Sequence, residues 1–582
     1  MIKASTSASQ HASSKRDAAL NSQKFTYPWR WYLLLSLLAL AAVLLGWRLL
    51  DLQIFSRDFL QTQGDARTLR NEPIMALRGM ITDRHGEPLA VSTPVVTLWT
   101  NPQQLPQDER VIRALAQSLQ VPYQELSERL ALYQGKEFMY LRRQLTPSEA
   151  KAVMALEIPG VYAQDEFRRY YPAGEVTAHL VGFNDVDDQG QEGIELAYNR
   201  LLTGIPGEKR VLKDRKGRVV RDLYTLSEPR PGKNITLSID LRLQYLAYRE
   251  LKAAVSQHKA KSGSLVMLDA RTGEVLALVS QPSYNPNNRA QLDAEGLRNR
   301  ALTDQIEPGS IVKPITVAAA MRTGMYQTET LVNTSPGYMT LNRRTIRDLR
   351  NYGNMPVHKI ITKSSNIGVA RMALSLSDPD TVWQLMYELG FGQSVGTGFP
   401  GEGLGKLPHP PKWRPIQLAT LSYGYGFTVT PLQAAQAYTA LSGHGNKYPV
   451  TLFKQEKQPQ GVPVLPPKIS RSVLEMMETV THSGGTGTRA RIPGYRVAGK
   501  TGTTHKVGEE GYTDDYRAIF AGIAPVSDPR LIAVVVVDSP AGQEYYGGLV
   551  AAPVFSRVVG SSLRLLNVPP DDPETLTTTF EP

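Results

Sequence analysis

The chain has 582 residues, 41% of them hydrophobic and 20% charged, so we expect a folded protein of two or more domains. Its 65 Lys and Arg exceed its 54 Asp and Glu to give a net charge of +11, but basic and acidic residues are interleaved, which argues against a nucleic-acid partner. It contains no cysteine, so disulfides, thiolate nucleophiles, Cys-ligated zinc and iron–sulfur clusters are excluded.

A membrane anchor is the first predicted element. The stretch Trp31 to Trp47 carries no charge and is at the short limit for crossing a bilayer. Five basic residues precede it, and cations beside a membrane span stay on the cytoplasmic side. We therefore expect residues 1–30 to be a flexible cytoplasmic tail, residues 31–50 to span the membrane, and the rest to be exported. A cleaved signal peptide is the alternative, because Ala39-Leu40-Ala41 resembles a cleavage site, but the apolar stretch extends well beyond that triplet.

Two exported regions follow the anchor. Residues 51–230 contain turn-rich segments and short strand-like runs, and a Pro- and Gly-containing segment at 228–234 marks their end. Residues 231–566 alternate between strand and helix patterns, which predicts a sheet with helices packed on it. Residues 567–582 are polar and should form a flexible tail. The predicted fold class is mixed α/β, in the α+β multidomain sense, with a mostly β first domain.

Two strand predictions in the second region are specific. Residues 264–280 read as a β-hairpin whose turn, Ala270 to Gly273, ends on a glycine suited to a special turn conformation. Residues 529–540 include an unbroken apolar run without alternation, which is typical of a strand covered on both faces.

Three short motifs stand in order in the second region: Ser310-Ile311-Val312-Lys313, Ser364-Ser365-Asn366 and Lys500-Thr501-Gly502-Thr503. This set is the known signature of serine β-lactamases and penicillin-binding proteins. A serine hydroxyl is a weak nucleophile at neutral pH and needs a base beside it. Residues three apart share a helix face, so we expect Lys313 to lie over the Ser310 hydroxyl, where burial lowers the lysine pKa and makes the neutral amine available.

The other two motifs supply the remaining chemical groups. Ser364 offers a hydroxyl for proton relay, Asn366 an amide for the substrate backbone, and Lys500 a positive charge for a carboxylate. A strand through the third motif can pair with an extended peptide, and the N–H groups of Thr503 and Ser310 would then form an oxyanion hole. The predicted catalytic residues are Ser310, Lys313 and Ser364, and the predicted substrate-binding residues are Asn366, Lys500, Thr501, Gly502 and Thr503.

Competing patterns have weaker support. Ser256 and Lys259 repeat the Ser-x-x-Lys spacing. The triplets that follow them stand in the wrong order, because Lys261-Ser262-Gly263 comes before Ser283-Tyr284-Asn285. The segment Gly494 to Thr501 matches a P-loop, which is meaningful only between a strand and a helix, and its flanks predict neither. The nine histidines show no ligand-like spacing, so neither a metal nor a cofactor is expected, and His505 is interpreted as a loop residue. The segment Tyr423 to Gly426 either lines a cleft or turns the chain.

Longer segments extend this match far beyond the three motifs. The chain resembles the class B penicillin-binding proteins, and among them the division-type peptidoglycan D,D-transpeptidases (FtsI-like) of Gram-negative bacteria. The resemblance runs from the anchor to about residue 566 and is carried by RGMITDRHGEPLAV, RRYYPAGEVTAHLVGF, EGIELAYN, SYNPNN, EPGSIVKP, KSSN, SYGYGFTVTPLQ, AGKTGT and YYGGLVAAPVF.

The resemblance implies a non-catalytic pedestal of the dimerisation type at 51–230 and a serine β-lactamase-like transpeptidase domain at 231–566. It implies a single-pass protein of the bacterial inner membrane whose catalytic domain is periplasmic. Ser310 would be acylated by D-Ala-D-Ala stem peptides, with release of D-Ala, during septal cell-wall synthesis, and β-lactams would mimic this substrate. The implied partners are peptidoglycan stem peptides, a membrane glycosyltransferase of the FtsW type and other divisome proteins.

Two departures and two rival functions accompany the resemblance. Ile311 replaces a threonine that is common in the family, and Ile306 stands where division members often have phenylalanine, which leaves open whether the chain is the essential division enzyme or a paralogue. A D,D-carboxypeptidase would share the acyl-enzyme, but the common kind is held by a C-terminal amphipathic helix, and this C-terminus is acidic and polar. A β-lactam sensor or scaffold is the other rival, and the first 30 residues show no output domain that a sensor needs.

Overall fold

The computed structural model describes residues 28–214, 219–290, 294–508 and 511–577. Residues 1–27 of the predicted cytoplasmic tail and residues 578–582 of the predicted C-terminal tail lie outside the described residues. The described chain divides into two compact units, the first formed by residues 28–72 and 209–226 and the second by the rest.

The elements up to residue 236 are, in chain order, α1 (Pro28–Leu50), a π-helical turn (Asp51–Phe55), α2 (Arg57–Thr68), β1 (Leu69–Ile74), β2 (Ile81–Thr82), β3 (Pro88–Thr100), α3 (Glu109–Leu119), α4 (Tyr123–Leu132), β4 (Met139–Leu145), α5 (Pro147–Met154), β5 (Val161–Tyr170), a 3₁₀ turn (Gly174–Val176), α6 (Ala178–Val181), α7 (Gly193–Ala197), α8 (Asn199–Leu202), β6 (Gly207–Lys213), β7 (Val219–Ser227) and β8 (Ile235–Thr236).

The later elements are α9 (Leu241–Gln257), β9 (Ser262–Asp269), β10 (Val275–Gln281), α10 (Ala294–Leu297), α11 (Arg300–Thr303), a 3₁₀ turn (Gly309–Val312), α12 (Lys313–Arg322), β11 (Leu331–Asn333), β12 (Tyr338–Leu341), β13 (Arg344–Arg347), β14 (Asn354–Pro356), α13 (Val357–Lys363), α14 (Asn366–Ser375), α15 (Thr381–Glu388), α16 (Pro415–Ser422), α17 (Pro431–Thr439), β15 (Asn446–Lys447), β16 (Val462–Pro463), α18 (Pro467–Glu478), a 3₁₀ turn (Thr488–Ala490), β17 (Ala498–Gly508), β18 (Gly511–Ala524), β19 (Leu531–Asp538), α19 (Gly547–Leu565) and α20 (Glu574–Thr577).

The first unit contains the apolar N-terminal helix. Among the described residues, the helical stretch Trp29–Phe55 is the one span long and apolar enough to cross a membrane. Its large apolar side chains are exposed along its whole length. Such a surface is favourable in hydrocarbon and unfavourable in water, so the helix has the character of the anchor predicted at 31–50. A three-stranded sheet in the order β1-β6-β7 completes this unit.

The earlier part of the second unit is a sheet with helices packed on it. Strands run in the order β4-β3-β2-β8, and β5 pairs with β3 along ten residues. Helices α3, α4 and α5 bury apolar side chains against β3 and β4. The sequence analysis, which emphasised short strands and turns, did not identify these helices. Their signal was present, because α3 buries Ile112, Leu115, Ala116 and Leu119 at helical spacing.

A five-stranded antiparallel sheet forms the centre of the later part, in the order β10-β9-β19-β18-β17. Strand β9 alternates between two cores: Leu265 and Met267 pack with α9 and α19, while Val266 and Leu268 face the core that contains α12 and α17. The predicted hairpin at 264–280 is confirmed by the β9–β10 pairing, and the predicted doubly covered strand is confirmed as β19. The mixed α/β fold class is likewise confirmed, and the sheet leaves β17 at its edge.

Candidate active site

Ser310 lies in the 3₁₀ turn Gly309–Val312, directly before α12, and its side chain is partly exposed. Gly309 has a φ of +56°, and a Cβ at this position would lie 2.3 Å from Cγ2 of Thr504, so only glycine fits between the turn and β17. The Gly309 N–H also donates to the Gly424 carbonyl at 3.0 Å. The Tyr-Gly-Tyr-Gly segment therefore turns the chain and supports the serine at the same time.

Lys313 is the first residue of α12, and its side chain is completely buried. Its Nζ donates to Ser364 O at 2.6 Å, to Ser364 Oγ at 3.2 Å and to Asn366 Oδ1 at 2.7 Å. All three acceptors belong to the second motif, and they satisfy the buried amine. The proximity of this amine to the Ser310 hydroxyl stays a prediction.

Burial also sets the charge of this lysine. Desolvation lowers the pKa of Lys313 to about 7, although the carboxylate of Asp348 acts in the opposite direction. At neutral pH a large fraction of the amine is therefore unprotonated, which is the condition that the sequence analysis set for a general base.

Ser364 connects the second motif to the third. It ends α13 in the left-handed region with a φ of +58°, a conformation that costs a residue with a side chain on the order of 1 kcal/mol or more. In this conformation its Oγ accepts from Lys313 Nζ at 3.2 Å and from Lys500 Nζ at 2.8 Å. One hydroxyl thus joins both lysines of the predicted site.

Asp348 holds the second motif in place, and the sequence analysis did not identify it. Its Oδ1 accepts the backbone N–H groups of Asn366 at 2.6 Å and Ile367 at 3.1 Å, and its Oδ2 accepts the Ser365 hydroxyl. A carboxylate at the N-terminus of a helix, here α14, is favourable because the first N–H groups have no partner within the helix. The one sequence signal was a lone acidic residue among four arginines, at residues 343–350.

Asn366 is already engaged on both ends of its amide. Its Oδ1 accepts from Lys313, and its Nδ2 donates to the backbone carbonyl of Arg347 at 3.0 Å. One N–H of Nδ2 and one lone pair of Oδ1 have no hydrogen bond within the described residues, so a peptide substrate can bind this amide without replacing either contact.

Lys500 is buried in β17 as completely as Lys313 is in α12. Its Nζ donates to Ser364 Oγ at 2.8 Å and to Thr501 O at 3.1 Å. Burial, together with the positive charge of Lys313, places the pKa of Lys500 well below its ordinary value. Two protonated amines on one hydroxyl would repel each other in a dry site, so the pair does not carry two full charges at neutral pH.

The third motif forms the edge of the five-stranded sheet. Thr501 Oγ1 lies 2.8 Å from Thr486 Oγ1, and Thr503 Oγ1 accepts the Gly547 N–H at 3.1 Å. At Gly502 a Cβ would lie 3.1 Å from Cγ2 of Ile311, which brings the strand close to the Ser310 turn. An edge strand has unpaired backbone groups, so β17 can add an extended peptide as a further strand.

A buried carboxyl three residues before Ser310 was also missed by the sequence analysis. Glu307 Oε1 accepts from the Gly426 N–H at 2.9 Å and from the Tyr512 hydroxyl at 3.2 Å, whereas its buried Oε2 has no partner among the described residues. Burial raises the pKa of Glu307. Aromatic rings continue from here along the cleft, since Tyr425 and Tyr512 lie 5.9 Å apart between their centroids.

The competing patterns do not assemble a site. Ser256 and Lys259 are exposed at the end of α9. Gly499 and Lys500 of the P-loop pattern lie within β17, so the pattern does not form a loop that precedes a helix. His505 is in β17 as well, which corrects its interpretation as a loop residue, and its ring packs on Tyr516 at 4.5 Å. Within the described ranges, no three His, Asp or Glu side chains are placed to hold a metal ion.

Two families of protein domains match the chain. Residues 263–560 match the penicillin-binding protein transpeptidase domain, and residues 73–237 match the penicillin-binding protein dimerisation domain. The three motifs fall inside the first match, in the order in which the sequence presents them.

Full-length relatives show the same similarity. The chain is 43% identical over 549 residues to the peptidoglycan D,D-transpeptidase FtsI of Escherichia coli K12, covering 93% of each chain. It is 41% identical over 554 residues to the probable peptidoglycan D,D-transpeptidase PbpC of Pseudomonas aeruginosa, covering 95% of this chain and 98% of the relative. The solved structure of penicillin-binding protein 3 from Mycobacterium tuberculosis is 25% identical with a TM-score of 0.66, covering 86% of this chain and 99% of that one.

Proposed function

Because the chain belongs to the penicillin-binding proteins that carry a transpeptidase domain, we propose that it is a peptidoglycan D,D-transpeptidase that cross-links stem peptides through an acyl-enzyme on Ser310. The observation that carries the proposal is the shared hydroxyl of Ser364, which accepts from Lys313 and from Lys500 beside the serine. The resemblance stated from the sequence is confirmed by the domain matches and the relatives.

The acylation step uses the neutral amine of Lys313. As Ser310 Oγ forms a bond to the carbonyl carbon of the penultimate D-Ala, the amine takes the hydroxyl proton. The C–N bond to the terminal D-Ala then breaks, and the leaving amine receives a proton relayed through Ser364. The backbone N–H groups of Ser310 and Thr503 stabilise the tetrahedral oxyanion in this mechanism.

Substrate binding decides which lysine is neutral. The terminal carboxylate of the stem peptide docks at the third motif, where the hydroxyls of Thr501 and Thr503 lie on the edge strand. A negative charge there stabilises the protonated form of Lys500. Because the two lysines share one hydroxyl, a proton held on Lys500 favours the neutral form of Lys313, and docking thereby prepares the base.

Cross-linking is completed by an amine of a second stem peptide. As this amine attacks the acyl carbon, it gives a proton to the neutral amine of Lys313; the bond to Ser310 Oγ then breaks, and the serine oxygen takes that proton from the base. In a D,D-carboxypeptidase, water takes the place of the amine, and the site geometry is the same for both reactions. The activity for which the relatives are named and the apolar N-terminal helix favour the transpeptidase.

The topology and the partners are part of this proposal. The apolar helix α1 anchors the chain in the bacterial inner membrane with residues 1–30 in the cytoplasm and the domains at 51–230 and 231–566 in the periplasm. The anchor and the first domain contact a glycosyltransferase of the FtsW type and other divisome proteins. The basic residues before the anchor and the presence of FtsI among the relatives support these statements.

Labelling of the full chain with a β-lactam tests the proposal. One covalent adduct is expected, and peptide mass spectrometry should map it to the peptide that contains Ser310. Ser310→Ala should abolish the label, whereas Ser256→Ala, which removes the other Ser-x-x-Lys serine, should leave it unchanged. Labelling that persists in Ser310→Ala would refute the mechanism. Product analysis with and without an amine acceptor then separates cross-linking from hydrolysis.

A further inference from the structure

A strongly basic hairpin borders the second motif. Strands β12 and β13 pair from Tyr338–Arg347 to Leu341–Arg344, and the segment from residue 343 to residue 350 carries four arginines and one acidic residue. We call residues 338–350 the arginine hairpin. Its arginines are Arg343, Arg344, Arg347 and Arg350, and all four residues are exposed.

The positive charge of the arginine hairpin is not neutralised locally. Its one acidic residue, Asp348, is committed to the backbone N–H groups at the start of α14. In the described ranges of the chain, none of the four guanidinium groups forms an ion pair, although Arg347 lies over the ring of Tyr338 and Arg350 over that of Tyr352. Like charges so close together repel one another, and an anionic ligand would relieve that repulsion.

The hairpin is held firmly against the catalytic domain. Ile346 is buried in a small core with Ile367, Ala370 and Ala419, and the partly buried Met339 packs against the same core. The guanidinium groups therefore stand on a fixed platform and lose less freedom on binding a ligand than they would on a free loop.

The same hairpin reaches the catalytic centre through two hydrogen bonds. The Arg347 carbonyl accepts from Asn366 Nδ2 at 3.0 Å, and Asn366 Oδ1 accepts from Lys313 Nζ at 2.7 Å. Tyr423, from the segment that supports Ser310, packs against the same small core as Ile346 of the hairpin. The arginine hairpin is therefore part of the rim of the cleft, beside the second motif.

We propose that the arginine hairpin binds side-chain carboxylates of the stem peptide, at residues that precede its D-Ala-D-Ala end. This inference rests on the proposed function and names the feature of the substrate that the enzyme prefers. A peptide aligned along β17, with its scissile carbonyl at Ser310, has to leave the cleft across its rim. Guanidinium groups match carboxylates in charge and geometry, and a field of one sign at a cleft mouth concentrates ligands of the opposite sign.

Two synthetic peptides test the proposal with the full chain in detergent. Both end in D-Ala-D-Ala and differ at one preceding residue, which carries a side-chain carboxylate in one peptide and its amide in the other. The wild-type chain should show a KM about fivefold lower for the acidic peptide, as expected for a partly solvated carboxylate–arginine contact of about 1 kcal/mol. The ratio of the two KM values is the quantity to compare among variants.

The variants decide whether the hairpin causes the preference. Replacing Arg343, Arg344 and Arg347 together by Gln should bring the KM ratio close to one, and Arg344→Glu alone should favour the amide. Arg110→Gln removes an exposed arginine of α3 and should keep the wild-type ratio. Equal KM values in the wild type, or an unchanged ratio in both hairpin variants, would overturn the inference. If the wild-type chain released no D-Ala from either peptide and formed no β-lactam adduct on Ser310, that result would instead refute the proposed function.

Discussion

Two regions of the molecule each bury a pair of cations, and they solve the problem in different ways. In the region that matches the dimerisation domain, Arg78 and Arg169 flank Glu195, at 2.6 Å and 2.7 Å, and all three side chains are fully buried. At the candidate active site, Lys313 and Lys500 are buried as deeply, but the group between them is the neutral hydroxyl of Ser364.

The difference between the two regions lies in what can give up a proton. Arginine stays protonated in proteins, so the first pair requires a carboxylate, and the result is a permanent structural triad. Lysine can become neutral when it is buried, so the second pair needs no carboxylate between its amines and lowers its charge by releasing a proton. The arginine pair therefore keeps its charge at all ordinary pH values, whereas the lysine pair can present a neutral amine.

The strongest test of this comparison replaces a buried lysine of the candidate active site by arginine, the cation that the first region buries. Lys313→Arg keeps the positive charge but removes the group that can act as a base, so the rate of Ser310 acylation by a β-lactam should fall ~10²–10⁴-fold. Stopped-flow measurement of acylation checks this outcome. Lys359→Arg, at an exposed lysine of α13, is the matched control and should acylate at the wild-type rate. A rate within threefold of wild type in Lys313→Arg would contradict the assignment of the base.

The reverse test removes the acid from the first region. Glu195→Gln leaves Arg169 without an ion-pair partner among the described residues and Arg78 with only the Asp188 carboxylate, 4.0 Å away, which should lower the free energy of unfolding by about 3–5 kcal/mol. Thermal unfolding of the full chain measures this loss, while the acylation rate of each folded molecule should stay at the wild-type value. Glu109→Gln breaks an exposed pair with Arg113 and should leave the thermal midpoint close to the wild-type value. Equal effects of the two substitutions would show that the buried triad is not structural.

The pH profile of acylation reports the deprotonation directly. The reactive form of Lys313 is neutral, and burial lowers its pKa to about 7. The rate should therefore be level above pH 7 and fall about tenfold per unit below it, because the neutral fraction falls in that proportion. Measurement of the second-order acylation constant from pH 5 to pH 9, with the fold monitored at each pH, checks the prediction. A flat profile below pH 7 would show that no group with this pKa acts as the base.

The smallest expected effect concerns Asp348, whose carboxylate acts on the pKa of Lys313. Asp348→Asn removes charge-assisted bonds to the start of α14 and should lower acylation about tenfold, the equivalent of about 1.4 kcal/mol. Because this carboxylate raises the pKa of Lys313, the acid limb of the pH profile should also move to lower pH. The control, Asp378→Asn, removes an exposed acid that precedes α15. A tenfold loss without any shift of the acid limb would limit the role of Asp348 to holding the helix.

Much of the fold was readable from local patterns. The apolar stretch at 31–50, the hairpin at 264–280 and the strand at 529–540 are each defined by neighbouring residues, and periodicity or an unbroken apolar run is enough to predict them. The helices α3, α4 and α5 carried a similar signal that the sequence analysis did not use.

The residues of the candidate site could be predicted from the sequence, but the contacts among their side chains could not. The order of the three motifs predicted roles for Ser310, Lys313, Ser364 and Lys500, and the structure brings both lysines onto the Ser364 hydroxyl. That Lys313 turns to the second motif, that one hydroxyl serves both lysines, and that Asp348 supports the arrangement appeared only in the folded chain.

The sequence by itself therefore determined the apolar N-terminal helix, two central strands and the motifs of the candidate site. The tertiary structure decided which of these groups touch, how deeply the two lysines are buried, and that a basic hairpin borders the cleft. The physical reason is that hydrogen bonds and desolvation act between atoms a few ångströms apart. Residues as distant in sequence as Ser364 and Lys500 come within that range only when β17 packs against the 3₁₀ turn Gly309–Val312 and α13 packs against α12.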